Sequence, residues 1–281
     1  MSARATTRRR QLGAMMRKLR ARSGMTLEEA GRLVDVSKAT ISRYETQEGP
    51  VKWPVVDALC REYGATEAER AALVSLAKEA KQQGWWSSFS DSIPETLNLL
   101  LTLEDEAVRE DHFNCLYVPG LLQTRSYTEA VQHASEMRLS PDEAKPLIDI
   151  RMKRQEVLAR DKPLHLWAIL DESVIRRVVG SREVMTEQLG HLLEANESPD
   201  ITLQVLPFSK GAHSAAMGSF VILGGAEPSL DVVYVDIHLG SLFMEKDEEL
   251  SRYRLAFDYL RAQALDMAAS SAMIDRVRKE M

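Results

Sequence analysis

The chain has 281 residues, 44% hydrophobic and 28% charged, with a formal net charge of −6. That length holds a small domain and a larger one. No run of about 18 apolar residues is present to span a membrane, and the basic start lacks the apolar stretch of a secretory signal. Two cysteines, Cys60 and Cys115, are too few for a disulfide framework and point to a reducing cytoplasm.

From Ala5 to Arg10 there are three consecutive arginines and almost nothing apolar. This predicts a disordered basic arm over residues 1–10, either touching phosphates or a minor groove, or serving only as a solubilising terminus. Leu12, Met15, Met16 and Leu19 then recur at i, i+3, i+4 and i+7, the stripe of a core helix whose back carries Arg17, Lys18, Arg20 and Arg22.

Thr26 and Glu29 have the spacing of a capping box, so a second helix starts there, with Ala30, Gly31 and Val34 inward. Asp35 falls at a turn and tolerates the left-handed region better than a bulky residue. Val36 points back inward, and Ser37 caps a third helix running from Lys38 to Glu45. With Ile41 facing the core, a rotation of about 100° per residue puts Ala39 and Arg43 outward, with Ser42 beside them and Lys38 at the leading end. These types suit a major groove: Arg and Lys for guanine, Ala for a thymine methyl. Ser37 and Thr40 are placed for phosphate oxygens near the helix start. A helical hairpin with a merely solvated basic face is the alternative, and it leaves the registered caps and turn unexplained.

The run Val36-Ser37-Lys38-Ala39-Thr40-Ile41-Ser42-Arg43-Tyr44-Glu45 resembles the Cro/repressor-type (XRE) helix-turn-helix regulators. It departs from many members at Leu27, where they carry Gln, and at Asp35, where they carry Gly. After Pro54, the set Val55, Val56, Leu59, Cys60 and Tyr63, and then Leu73, Leu76, Ala77 and Ala80, repeat helical spacing, with Gly64 and Gly84 as helix ends. A five-helix head over residues 11–82 is expected. Residues 1–43 hold eleven Lys and Arg against three Asp and Glu, or +8, leaving 25 against 39, or −14, for the remainder. A basic head on an acidic body is the asymmetry of a chain with one domain facing phosphate.

Residues 83–92 include Trp85, Trp86 and Phe89, and three aromatics in five positions predict a docked linker, not a flexible tether. Residues 93–281 read as an α/β domain with a mixed sheet. Helices are expected over Glu95 to Asp111, Arg125 to Glu136, Pro141 to Arg160 behind a Ser140–Glu143 capping box, Arg182 to Glu194, and from Asp247 onward. Leu250, Tyr253, Leu255, Phe257 and Leu260 form the apolar set of that last stretch, and Ser270 caps a final short helix. Strands are expected over Phe113 to Val118, Leu164 to Leu170, Ile201 to Leu206, Phe220 to Leu223, Val232 to Ile237 and Leu242 to Met244. Asp171-Glu172 should open a helix.

The spaced motifs Val118-Pro119-Gly120-Leu121-Leu122-Gln123-Thr124, Arg151 with Arg154-Gln155-Glu156, Leu170-Asp171-Glu172, Gln188-Leu189, Leu203-Gln204-Val205-Leu206-Pro207 with Gly211 and His213, and Gly218-Ser219-Phe220 extend the resemblance. They look like the large C-terminal domain of unknown function found behind such heads in many actinobacterial regulators, often called antitoxin-like because a small companion protein is encoded beside them. The resemblance implies a DNA-binding regulator docking that companion, on double-stranded DNA as a two-fold dimer. Two other readings of the body stay open: a small-molecule pocket near Pro207 to Gly218, and a hydrolase centred on His213, with Asp236 and His238 as a conceivable metal or acid–base pair. Neither the serine nucleophile elbow nor the phosphate-binding P-loop occurs, no helical pair has metal-ligand spacing, and no cofactor is expected.

Overall fold

The computed structural model describes residues 7–46, 51–79, 93–134, 140–215, 218–225, 231–237 and 240–281. The chain divides into two compact units, Met1–Ser87 and Ser88–Met281. The linker with Trp85 and Trp86 lies outside the described residues, as do Ala80, Gly84 and His238.

The first unit is helical: α1 (Thr7–Ser23), α2 (Leu27–Leu33), α3 (Lys38–Thr46), α4 (Trp53–Glu62) and α5 (Glu67–Glu79). Helix α1 begins at Thr7, so Arg8, Arg9 and Arg10 are helical and the expected arm is corrected over residues 7–10, residues 1–6 lying outside the described residues. The reason is local: arginine is a good helix former, and the apolar stripe that follows can nucleate a helix extending backward through it. The core gathers Leu12, Met16, Leu19, Ala30, Ile41, Val56, Leu59, Cys60, Tyr63, Leu73 and Ala77, with Met15, Val34, Val36, Val55 and Leu76 packed around them. These are the positions the helical spacing selects. Two capping boxes fasten helix starts. Thr26 accepts from the Glu29 amide while Glu29 takes the Thr26 amide, and Thr66 with Glu69 repeats the arrangement before α5.

The second unit is a six-stranded mixed sheet with helices on both faces, built from β1 (Arg109–Asn114), β2 (His165–Asp171), β3 (Ile201–Leu206), β4 (Phe220–Gly224), β5 (Val232–Ile237) and β6 (Gly240–Met244). The strand order is β3-β2-β1-β4-β5-β6. The β3, β2 and β1 strands run parallel, and β1 through β6 pair antiparallel from there on. The helices are α6 (Glu95–Glu106), α7 (Arg125–Ala134), α8 (Pro141–Arg154), α9 (Glu172–Arg176), α10 (Arg182–Ala195), α11 (Asp247–Gln263) and α12 (Met267–Glu280). One sheet face buries Ala168, Leu203, Val221 and Phe243 together with Leu100, Tyr127, Leu189 and Ile274 from the helices. The other face buries Phe113, Ile169, Phe220, Ile222 and Val233 with Leu250, Phe257 and Leu260 of α11.

Several expectations change here, and the helix expected from Pro141 to Arg160 stops at Arg154, followed by a short 3₁₀ turn, Gln155–Leu158. Helix α6 stops at Glu106 and the first strand is Arg109–Asn114, not Phe113 to Val118, so Cys115 lies just past its end. A central strand reading Arg-Glu-Asp-His-Phe-Asn carries too few apolar residues to be recognised by its pattern. Ser270 does not cap the last helix: Asp266 does, and Ser270 is fully buried, its hydroxyl taking the Val205 amide at 2.9 Å. Leu255 points to solvent at 57% exposure, because the buried side of α11 repeats at Leu250, Tyr253, Phe257 and Leu260.

Candidate nucleic-acid interface and a polar cavity

The α2–α3 pair is assembled by three local devices. Asp35 adopts φ 53°, the only positive φ among described residues other than glycine. The Val36 amide returns to the Gly31 carbonyl at 2.9 Å, and a Cβ added to Gly31 would stand 2.5 Å from the Val36 carbonyl oxygen. Only glycine leaves room for that backbone approach. Ser37 then caps α3, its Oγ accepting the Thr40 amide at 3.1 Å.

Helix α3 buries Ile41 completely and turns Lys38, Ala39 and Arg43 to solvent, while Thr40 and Ser42 are half-buried. The face expected to meet DNA is therefore open. The hydroxyls of Ser37 and Thr40 meet at 2.9 Å, which uses one of their two hydrogens and leaves the other for a phosphate oxygen. Arg43 Nη2 rests 3.3 Å from Thr40 Oγ1. No acidic residue stands in the first turn of α3, whereas α2 carries Glu28 and Glu29 there. The positive end of α3 thus remains uncompensated, as an anion-binding helix start requires. The basic back of α1 is partly committed within the unit: Arg20 grips Glu45 with two bonds, of 2.6 and 2.8 Å, and Arg22 grips Glu69. Arg17 and Lys18 stay exposed.

In the second unit, His213 is held as a structural residue. Its Nδ1 accepts the Ala215 amide at 3.2 Å and its ring packs edge-on against Phe113 at 5.4 Å. Asp236 accepts from Ser241, and His238, the other half of the conceivable metal or acid–base pair, lies outside the described residues. Among the described residues no cluster of three or more His, Cys, Asp or Glu could hold a metal. No described helix is long and apolar enough to cross a membrane.

A cavity of about 290 Å³ opens elsewhere, over the central strand β1, and none of its lining residues belongs to the Pro207 to Gly218 stretch. Glu110, His112 and Asn114 occupy alternate positions of β1 and all three line it. Arg151 and Arg154 come from α8, Glu104 from α6, and Tyr234 and Asp236 from β5. Asn114 Nδ2 reaches His112 Nε2 at 3.4 Å, and His112 Nδ1 reaches Glu110 Oε1 at 2.9 Å. Glu110 Oε2 is buried without a partner among the described residues. Arg154 binds Glu104 through Nε and Nη2, and this partner outweighs the lowering effect of burial to keep the guanidinium above its ordinary pKa. Arg151 makes a single hydrogen bond, from Nη1 to Gln123 Oε1 at 3.0 Å, and no ion pair among the described residues. Burial, and then the charge of Arg154, lower its pKa to about 10.

The wall of the cavity is braced by side-chain amides. Gln123 Nε2 donates to the Val118 carbonyl, Gln155 Nε2 to the Gly120 and Gln123 carbonyls, and Gln188 bridges the Leu122 carbonyl and the Thr124 amide. The motifs around Val118–Thr124, Arg151–Gln155 and Gln188 are thus one hydrogen-bonded assembly. Sequence reasoning named these runs without bringing them together, and it passed over Glu110, His112 and Asn114, of which Glu110 fell in the expected helix, His112 between elements and Asn114 in the expected strand Phe113 to Val118.

A helix-turn-helix domain family matches residues 11–73, and the family described as Domain of unknown function (DUF5753) matches residues 97–276. No curated protein and no solved structure matches the chain. The first match supports a DNA-binding regulator. The second covers more than half of the sequence, so the chain belongs to the Domain of unknown function (DUF5753) family, carried behind an N-terminal helix-turn-helix domain.

Proposed function

We propose that the chain is a sequence-specific transcriptional regulator of the Cro/repressor type that reads a major groove with Lys38, Ala39, Ser42 and Arg43, anchored on phosphates by Ser37 and Thr40. The observation that carries this is the outward face of α3, set by a buried Ile41 and a capped, acid-free helix start. The regulator works in the cytoplasm as a two-fold dimer, because one head spans only a few base pairs and two heads multiply specificity. Its acidic second unit belongs to the antitoxin-like class and docks a small companion protein encoded beside it.

The test is an in vitro selection of duplexes with the full chain, followed by titration of the recovered site. Arg43→Ala should cost about 1–3 kcal/mol on that site and little on a scrambled duplex. Equal losses on both would remove Arg43 from base reading, and failure to enrich any site would overturn sequence-specific binding.

A further inference from the structure

We infer that the cavity over β1 is a binding site for a small zwitterionic molecule, its carboxylate held by Arg151 and its ammonium by Glu110. A central strand covered on both faces normally presents apolar side chains. Here Glu110, His112 and Asn114 interrupt the buried face, and a local rule broken inside a packed core marks a functional site.

The charges lining the cavity do not all cancel. Arg154 and Glu104 neutralise each other through two hydrogen bonds. Arg151 has no ion pair among the described residues, the Asp236 charge acting on it only without a direct bond, and its one neutral partner, Gln123 Oε1, satisfies one of its five N–H groups. Glu110, 2% exposed, keeps Oε2 unpartnered among the described residues, while its Oε1 meets His112 Nδ1 at 2.9 Å. Buried charges and buried orphan acceptors are costly unless paired. A ligand with a carboxylate at one end and a charged donor at the other satisfies both groups together. Arginine takes a carboxylate in a two-bond fork, which also orients the molecule. The walls between are apolar or aromatic, with Leu100, Val131 and Tyr117 available to a short carbon spacer. A volume of about 290 Å³ lies at the small end of the clefts that hold small molecules, about 300–1,000 Å³. The occupant is therefore a small metabolite.

The site lies within the second unit and owes nothing to the reading of DNA by α3, so the two ideas fail separately. The experiment is isothermal titration of the full chain with glycine, β-alanine, 4-aminobutyrate, 5-aminovalerate and 6-aminohexanoate, a series that varies only the carboxylate–ammonium separation. Acetate and methylammonium serve as the single-ended controls. Affinity should peak at one chain length, at least tenfold tighter than either control. Arg151→Met should weaken that best member at least tenfold. Glu110→Gln, which keeps the shape of the wall should Arg151→Met fail to fold, should weaken it similarly while leaving acetate unchanged. Arg43→Ala should leave the whole series unaltered. A flat series no tighter than acetate, or binding that survives Glu110→Gln, overturns the inference. Binding lost with Arg43→Ala places the anion on the head and overturns it equally.

Discussion

Glu69 shows how much one side chain can fasten. Its carboxylate receives both bonds of Arg22 from α1 and the Thr66 amide at the start of α5. The Arg22 guanidinium first, and then the Thr66 amide, hold its pKa down at about 2. A carboxylate whose pKa is depressed by folding stabilises the native state above its unfolded value and loses that contribution as pH falls through the folded one. The contribution of Glu69 is therefore complete above the ordinary carboxylate range and disappears as pH falls toward about 2. Replacing Arg22 with Met should raise the Glu69 midpoint, read by carbon-13 side-chain titration of the full chain. An unchanged midpoint would show that the capping amide alone sets it. Thr66 and Glu69 carry the capping-box spacing recognised at Thr26 and Glu29, but that box was passed over in the sequence. The ion pair to Arg22 was not legible, because the partners are 47 positions apart.

Among elements, the segment from Val118 to Thr124 is the one whose position depends most on side chains. It holds only a short 3₁₀ turn, Gly120–Leu122, so its backbone groups look elsewhere for partners. Gln188 supplies two: its Nε2 donates to the Leu122 carbonyl and its Oε1 accepts the Thr124 amide, both at 2.7 Å. Gln188→Leu fills the same fully buried space but strands both backbone groups, each worth about 1–3 kcal/mol when left unsatisfied. Urea unfolding of the second unit should show a loss in that range or above it. A loss under about 0.5 kcal/mol would mean that water or a shifted loop replaces the amide. Helix–turn–helix elements, in contrast, were legible as drawn, since a cap, a small residue, a left-handed Asp35 and a second cap act within a dozen positions. Strand β1 was misread for the opposite reason: its residues are chosen by the cavity and the sheet, not by a period-2 pattern.

Charge is divided between the units, +6 over residues 1–87 against −12 over residues 88–281. Such a division concentrates attraction to phosphate in the first unit. A two-fold arrangement should place two α3 helices one DNA turn apart, about 34–36 Å. Light scattering of the purified chain at micromolar concentration should give twice the 31.6 kDa protomer mass. Adding the proposed companion protein should increase that mass, and a truncated chain lacking residues 1–87 should retain the increase. A monomer both with and without duplex would refute the dimer, and an unchanged mass would refute the companion.

By itself the sequence determined the elements that close over short spans: the capped helices, the turn at Asp35, the buried stripe around Ile41 and the mixed α/β order of the larger unit. These follow from local periodicity and backbone chemistry, which a chain carries in consecutive residues. Tertiary structure alone decided that Arg20 and Arg22 are spent on Glu45 and Glu69, that Ser270 docks α12 onto β3, and that Glu110, His112, Arg151 and Arg154 face one cavity. Those pairings join residues tens of positions apart, and which polar groups meet there depends on how the sheet is ordered and which helices cover it.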